Sequence, residues 1–229
     1  MYHHLTERPA DPRFGYLHVS PAFFKRQLRG LADYGLETLS LAEVSAAQAE
    51  ARRGVVITFD DGLESVFLHG LKLLGDFHGR AIQFLVSDRV GGWNEWDAGT
   101  GAARTRLMDE SQVREWLAAG HEIGAHTRTH PHLTKIPREQ AREEIRGSCR
   151  QLEDRFGVAV KHFCYPYGDW SPAIRDLVAE AGYESACTVV PRVANGDSDR
   201  LALPRLLARQ PRATTSLGRI RQHLKRIFS

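Results

Sequence analysis

Short apolar runs rich in β-branched residues alternate along this chain with longer amphipathic stretches, from residue 21 to residue 207. That alternation constrains the fold more than any other feature, because repeated strand–helix units build a parallel sheet covered by helices. The runs at 37–41, 55–60, 81–87, 122–127, 162–167, 184–190 and 203–207 read as strand cores. The stretches 21–34, 41–51, 64–77, 110–119, 138–156 and 172–181 read as helices. Ser20-Pro21 and Ser171-Pro172 each set a capping hydroxyl before a proline at the first helical position. Gly35, Gly120, Gly157 and Gly182 stand where the helices should stop. No GxGxxG turn follows a strand, which disfavours a doubly wound dinucleotide-binding sheet. The expected fold is α/β: a distorted, incomplete (β/α) barrel of about seven parallel strands in a single domain over residues 1–212, followed by a basic amphipathic tail at 213–229.

Composition removes other classes. With 42% hydrophobic and 26% charged residues in 229, the chain can bury a core and is not disordered. No apolar run approaches the ~18 residues of a spanning helix. Cys149, Cys164 and Cys187 form no CxxC, which argues against a disulfide scaffold or a cysteine zinc site. The net charge of +3 is uneven: Arg212, Arg219, Arg221, Lys225 and Arg226 put +5 on residues 212–229, leaving −2 for the rest. The body therefore lacks a nucleic-acid-binding composition. In the tail, Leu217, Ile220, Leu224 and Ile227 fall at helical spacing with the basic residues opposite. Such a helix either packs on the barrel or makes peripheral contact with an anionic membrane. The opening MYHHLTERPADP has no basic n-region and no apolar h-region, so a cytoplasmic chain is expected as it stands, and a periplasmic or cell-surface one if a leader precedes it.

Polar residues gather where the strands end, the place where parallel α/β folds build their sites. VVITFDDG carries Asp60 and Asp61 at a strand end; Asp-Asp-Gly is also good turn chemistry. HEIGAHTRTHPHL places His126 and His130 four residues apart, a spacing that suits two imidazoles sharing a metal with a carboxylate, or a histidine-rich surface loop. HFCYPYGDWS reads as a strand running into a rigid aromatic turn before a capped helix. Between the strand at 81–87 and the helix at 110–119 lies an unusually long connection bearing Trp93 and Trp96, the length of a lid or binding loop.

Taken in order, the TFDDG strand end, the HTxxHP turn and the FxYPYG loop resemble the polysaccharide deacetylases of carbohydrate esterase family 4, over roughly residues 1–210. GGWNEWD, the 138–156 helix and AGYESACT resemble the subgroup found with bacterial exopolysaccharide synthesis. The resemblance implies Asp61, His126 and His130 as metal ligands, Asp60 as general base, and the Tyr167 backbone N–H as an oxyanion donor. It also implies a divalent metal, with zinc favoured over cobalt, nickel or iron, and an acetylated oligo- or polysaccharide as partner. Trp93, Trp96, Tyr165 and Trp170 are the expected sugar-facing aromatics.

Two departures from the family pattern matter. Cys164 stands where an arginine usually orients the base, and Leu201-Ala202-Leu203-Pro204 lacks the usual acid histidine. MYHHL resembles the start of a circularly permuted subgroup, which makes His3 the expected acid. Arg205, set among apolar residues in the last strand run, is costly there unless paired, and is the expected partner of Asp60. The function these features imply is metal-dependent removal of acetyl groups from an N-acetylated amino sugar in a bacterial polysaccharide or its lipid-linked precursor. An O-acetyl carbohydrate esterase and a non-catalytic sugar-binding module are the alternatives. A glycosidase is disfavoured, because adjacent strand residues point to opposite sides and cannot flank one bond.

Overall fold

The computed structural model describes residues 1–7, 12–45 and 54–210. The 213–229 tail, with its membrane reading, and the later part of the 41–51 helix lie outside the described residues. Five strands form the central sheet, all parallel and in chain order: β5 (Ile57–Phe59), β6 (Ala81–Leu85), β7 (Glu122–Ala125), β8 (His162–Cys164) and β9 (Ser185–Cys187). All five residues of β6 are buried, as a strand covered on both faces requires. Two parallel pairs stand outside the sheet: β1 (His4–Leu5) with β2 (His18–Val19), and β3 (Glu37–Thr38) with β4 (Gly54–Val55).

The sheet is a curled half-barrel, and two irregular segments span its open side. Tyr2 bridges Phe59 in parallel, and Leu203 bridges Cys187 in parallel. These edges then meet, since the Met1 amino group donates to Leu206 O and Ala208 N–H donates to Met1 O, both at 2.9 Å. Of the seven expected strands, five form this sheet, the 37–41 run pairs outside it as β3, and the 203–207 run helps close the open side opposite the Tyr2 segment. The 203–207 run makes a bridge and no strand, because Pro204 has no N–H to continue a ladder. The 162–167 run stops at Cys164, where Pro166 and a left-handed Tyr167 turn the chain away.

The helices follow their local signals closely. Helix α1 (Pro21–Asp33) is capped by Ser20 Oγ accepting from Phe23 N–H at 3.2 Å, and α6 (Pro172–Glu180) by Ser171 Oγ accepting from Ile174 N–H at 3.3 Å. Between them lie α2 (Leu41–Ser45), α3 (Glu64–Asp76), α4 (Glu110–Ala118) and α5 (Arg138–Phe156). Gly157, at φ 69°, ends α5 in the left-handed conformation that glycine adopts without strain. The larger of two apolar clusters runs from Tyr2 and Leu5 through Phe24, Phe59 and Trp116 to Tyr183 and Ala186, and a smaller one joins Leu41, Ile82, Phe84, Cys164, Cys187 and Leu203.

Candidate active site

Asp60 and Asp61 follow β5 directly. The left-handed backbone of Asp61 (φ 75°) and Gly62 (φ 74°) bends the chain. The two carboxylates meet different partners. Asp60 is buried, and Arg205 holds it in a fork: Nη1 donates to Oδ1 and Nη2 to Oδ2, each at 2.8 Å. The guanidinium is itself fixed, donating to Thr188 O at 2.9 Å and Thr58 Oγ1 at 3.0 Å. Cys164 Sγ lies 3.0 Å from Nη2 and 3.5 Å from Asp60 Oδ2, so its small thiol leaves room for Arg205 to reach across. Burial alone would push Asp60 up, but the charge and hydrogen bonds of Arg205 outweigh it and hold the carboxyl at about 2. His3 Nε2 lies 3.9 Å from Asp60 Oδ2. Burial pushes this imidazole below its ordinary pKa, against the opposing pull of Asp61 and Asp60.

Asp61 faces the histidine turn that follows β7. Its Oδ1 is 3.4 Å from His126 Nε2 and 3.4 Å from His130 Nε2, and the two Nε2 atoms are 3.2 Å apart. His126 Nδ1 lies 2.7 Å from Cys164 O, which can only accept, so Nδ1 carries a proton and Nε2 is turned toward Asp61. Burial pushes His130 toward the neutral form that can act as a ligand. His126 and His130 hold Asp61 well below the usual carboxylate range, although burial opposes this. Donors of a tetrahedral ion bound at ~2.0–2.1 Å stand roughly 3.3 Å apart. The three separations here match that value, and two nitrogen donors with one oxygen donor suit a divalent ion with an open position.

The aromatic residues divide. Trp96 stacks on His130 at 4.5 Å, Tyr167 meets His130 edge-on at 4.6 Å, and His132 stacks on Tyr167 at 4.0 Å. Tyr167 is 45% exposed and lies at φ 59°. Trp93 belongs to the long loop's own hairpin, bridged to Arg106 with the guanidinium groups of Arg104 and Arg106 over its ring. Tyr165 is a correction: its side chain is fully buried and its hydroxyl donates to Leu201 O at 2.7 Å, so it braces the loop and cannot face a sugar. Trp170 is half-buried, one side packed on Tyr165 and the main core. Sequence reasoning saw His132 in the histidine run without giving it a role, and missed Asp169. Asp169 accepts from the Thr134 N–H at 3.0 Å and lies 3.7 Å from His132 Nδ1, tying the histidine turn to the Tyr167 loop. The third histidine of HTRTHPH was the available signal for that link.

A carboxylate and two imidazoles converge beside a second, arginine-held aspartate at the C-terminal edge of a parallel half-barrel, an arrangement that suits a metal-dependent hydrolase. A family model of polysaccharide deacetylases matches residues 47–186, and the chain belongs to that family, carbohydrate esterase family 4. YxkH of Bacillus subtilis is 23% identical over 210 residues, covering 90% of this chain and 69% of that protein. The poly-β-1,6-N-acetyl-D-glucosamine N-deacetylase of Staphylococcus epidermidis is 21% identical over 195 residues, 82% of this chain and 67% of that protein. Relatives matching over shorter stretches are spanned over 53% of their length or less. Among solved structures, the Streptococcus pyogenes deacetylase PplD in complex with acetate shares the fold, with a TM-score of 0.79 at 22% identity, covering 97% of this chain and 95% of that one.

Proposed function

We propose that this chain is a metal-dependent deacetylase that hydrolyses the acetamide of an N-acetylated amino sugar, most simply N-acetylglucosamine, in a bacterial polysaccharide or its lipid-linked precursor. The observation that carries the reading is the Asp61–His126–His130 triad, with separations of 3.2–3.4 Å, directly beside the Arg205-held Asp60. The named activity of the Staphylococcus epidermidis relative supports the choice of sugar. Asp61 and the two Nε2 atoms would hold a divalent cation, zinc first, with cobalt, nickel or iron as substitutes. When bound, it supplies Lewis acidity that acidifies water and polarises a carbonyl.

The chain's own groups do the rest. Asp60, kept ionised by Arg205, accepts a proton from the attacking water. The Tyr167 N–H donates toward the oxygen on which negative charge develops. His3, whose Nε2 lies 3.9 Å from Asp60 Oδ2, takes up the proton accepted there and delivers it to the departing amine. Trp96 walls the cleft beside His130, where it offers an apolar face to a sugar ring.

The test is acetate release from β-1,4- and β-1,6-linked N-acetylglucosamine oligomers and from an O-acetylated polymer. Release from the amide substrates, abolished by a chelator and restored by zinc or cobalt, is the expected result. Release from the O-acetylated polymer alone would make the protein an ester hydrolase. Tight sugar binding with no release would make it a binding module.

The role of His3 has its own readout. Amine departure needs a proton, whereas an activated acetate ester leaves without one. His3→Ala should therefore cut kcat on the amide sugar ~100-fold or more and spare the activated ester. Equal losses on both substrates would remove His3 from the acid role.

A further inference from the structure

His126 and His130 reach Asp61 because the turn between them takes an unusual path. Thr127 lies at φ 65° and His130 at φ 67°, left-handed conformations that neither side chain favours. Within the turn, His130 N–H donates to Thr127 Oγ1 at 3.0 Å. On one side, Ser87 N–H donates to Thr127 O at 3.1 Å and Asp88 N–H to Arg128 O at 3.0 Å. The amides of the two central residues, Arg128 and Thr129, need acceptors from elsewhere.

A single side chain supplies them. Glu144 lies on α5, buried at 6% exposure. Its Oε2 accepts the N–H groups of Arg128 (2.8 Å) and Thr129 (2.9 Å), and its Oε1 accepts the Thr129 hydroxyl (2.6 Å). The helix lies flush against the turn. Gly147, one turn further along α5, is so close that a Cβ there would stand 2.7 Å from Arg128 Cδ.

We propose that Glu144 is a positioning residue of the metal centre: its three hydrogen bonds hold the Arg128–Thr129 backbone so that the flanking histidines converge on Asp61. The inference rests on reading Asp61, His126 and His130 as the metal ligands. Groups that orient ligands at one remove typically change metal affinity 10–100-fold when lost.

The experiment is zinc titration of the chelator-stripped full chain against a chromogenic competitor, with cobalt absorption as the report on geometry. Glu144→Ala should weaken zinc binding ~10–100-fold and alter the cobalt bands. Glu144→Gln should bind close to wild type. Its amide oxygen can accept both N–H groups, and the Thr129 hydroxyl can turn round to accept from the amide nitrogen. Native affinity and cobalt bands in Glu144→Ala would overturn the proposal, as would a Glu144→Gln variant as weak as the alanine one. If Glu144→Ala does not fold, Glu144→Asp carries the same test: it is one methylene short, weakened binding is expected, and native affinity overturns the proposal. His126→Ala separates the two layers. Native zinc affinity in that variant sinks the ligand assignment itself, whereas loss there alongside native affinity in Glu144→Ala sinks only the role of Glu144.

Discussion

Alanine at Asp61, His126 or His130 should strip the protein of bound metal and of acetate release together, whereas Asn at position 60 should remove activity and leave the metal in place. The difference follows from where the two adjacent carboxylates point. Asp61 Oδ1 sits 3.4 Å from both Nε2 atoms, and each alanine variant leaves two donors of three. Both Asp60 oxygens are instead engaged by Arg205, each at 2.8 Å. Asp60→Asn keeps the shape of the side chain but cannot accept a proton, and loss of a positioned general base costs ~10²–10⁴ in rate. Metal content of the purified variants, measured beside kcat/KM for an N-acetylglucosamine oligomer, checks both halves. Full occupancy in His126→Ala, or metal loss in Asp60→Asn, would reverse the assignment of the two acids.

What the sequence showed and what it hid divide along a physical line. Helix ends were legible because their signals are local: Ser20, Ser171 and Gly157 act within one turn of themselves. Strand ends were not, because a strand lasts only as long as its neighbour pairs with it. Residues 203–207 look like a strand by composition, yet pair with Cys187 at Leu203 alone. The four residues of the acid pair and the histidine turn were visible as compact motifs. Arg205, 145 residues from Asp60, was visible only through an energetic argument: a charge among apolar strand residues needs a partner. Glu144 had no such mark. It sits in a helix crowded with acids, and only the approach of α5 to the turn distinguishes it from Glu143, which pairs with Arg128 at the surface. Tyr165 misled for the converse reason, since an aromatic loop residue reads the same whether it faces a sugar or the core.

Arg205→Met should destabilise the protein by about 3–5 kcal/mol near neutral pH, the cost typical of leaving one partner of a buried ion pair uncompensated. Methionine fills the space beside Phe84 that the guanidinium occupies, so the loss is mainly electrostatic. In the wild type, Asp60 is held at about 2 against an ordinary 3.8. A depressed carboxyl contributes stability that is fully present above 3.8 and is lost as the pH falls through about 2; the shift corresponds to roughly 2 kcal/mol. Without Arg205, burial dominates and lifts Asp60 above its ordinary value. The sign then reverses, and the deficit of the variant shrinks on acidification, because the folded variant protonates Asp60 more readily than the unfolded chain does. The same rise should move the acid limb of the pH–rate profile upward while zinc content stays unchanged. Adding Asp60→Asn to Arg205→Met should recover much of the lost stability, since it removes the stranded charge. Urea unfolding of the two single variants and the double variant on metal-stripped protein, at pH 7 and pH 4, measures this coupling. Strictly additive losses with an unmoved acid limb would mean that the fork between Arg205 and Asp60 neither stabilises the fold nor sets the ionisation of the base.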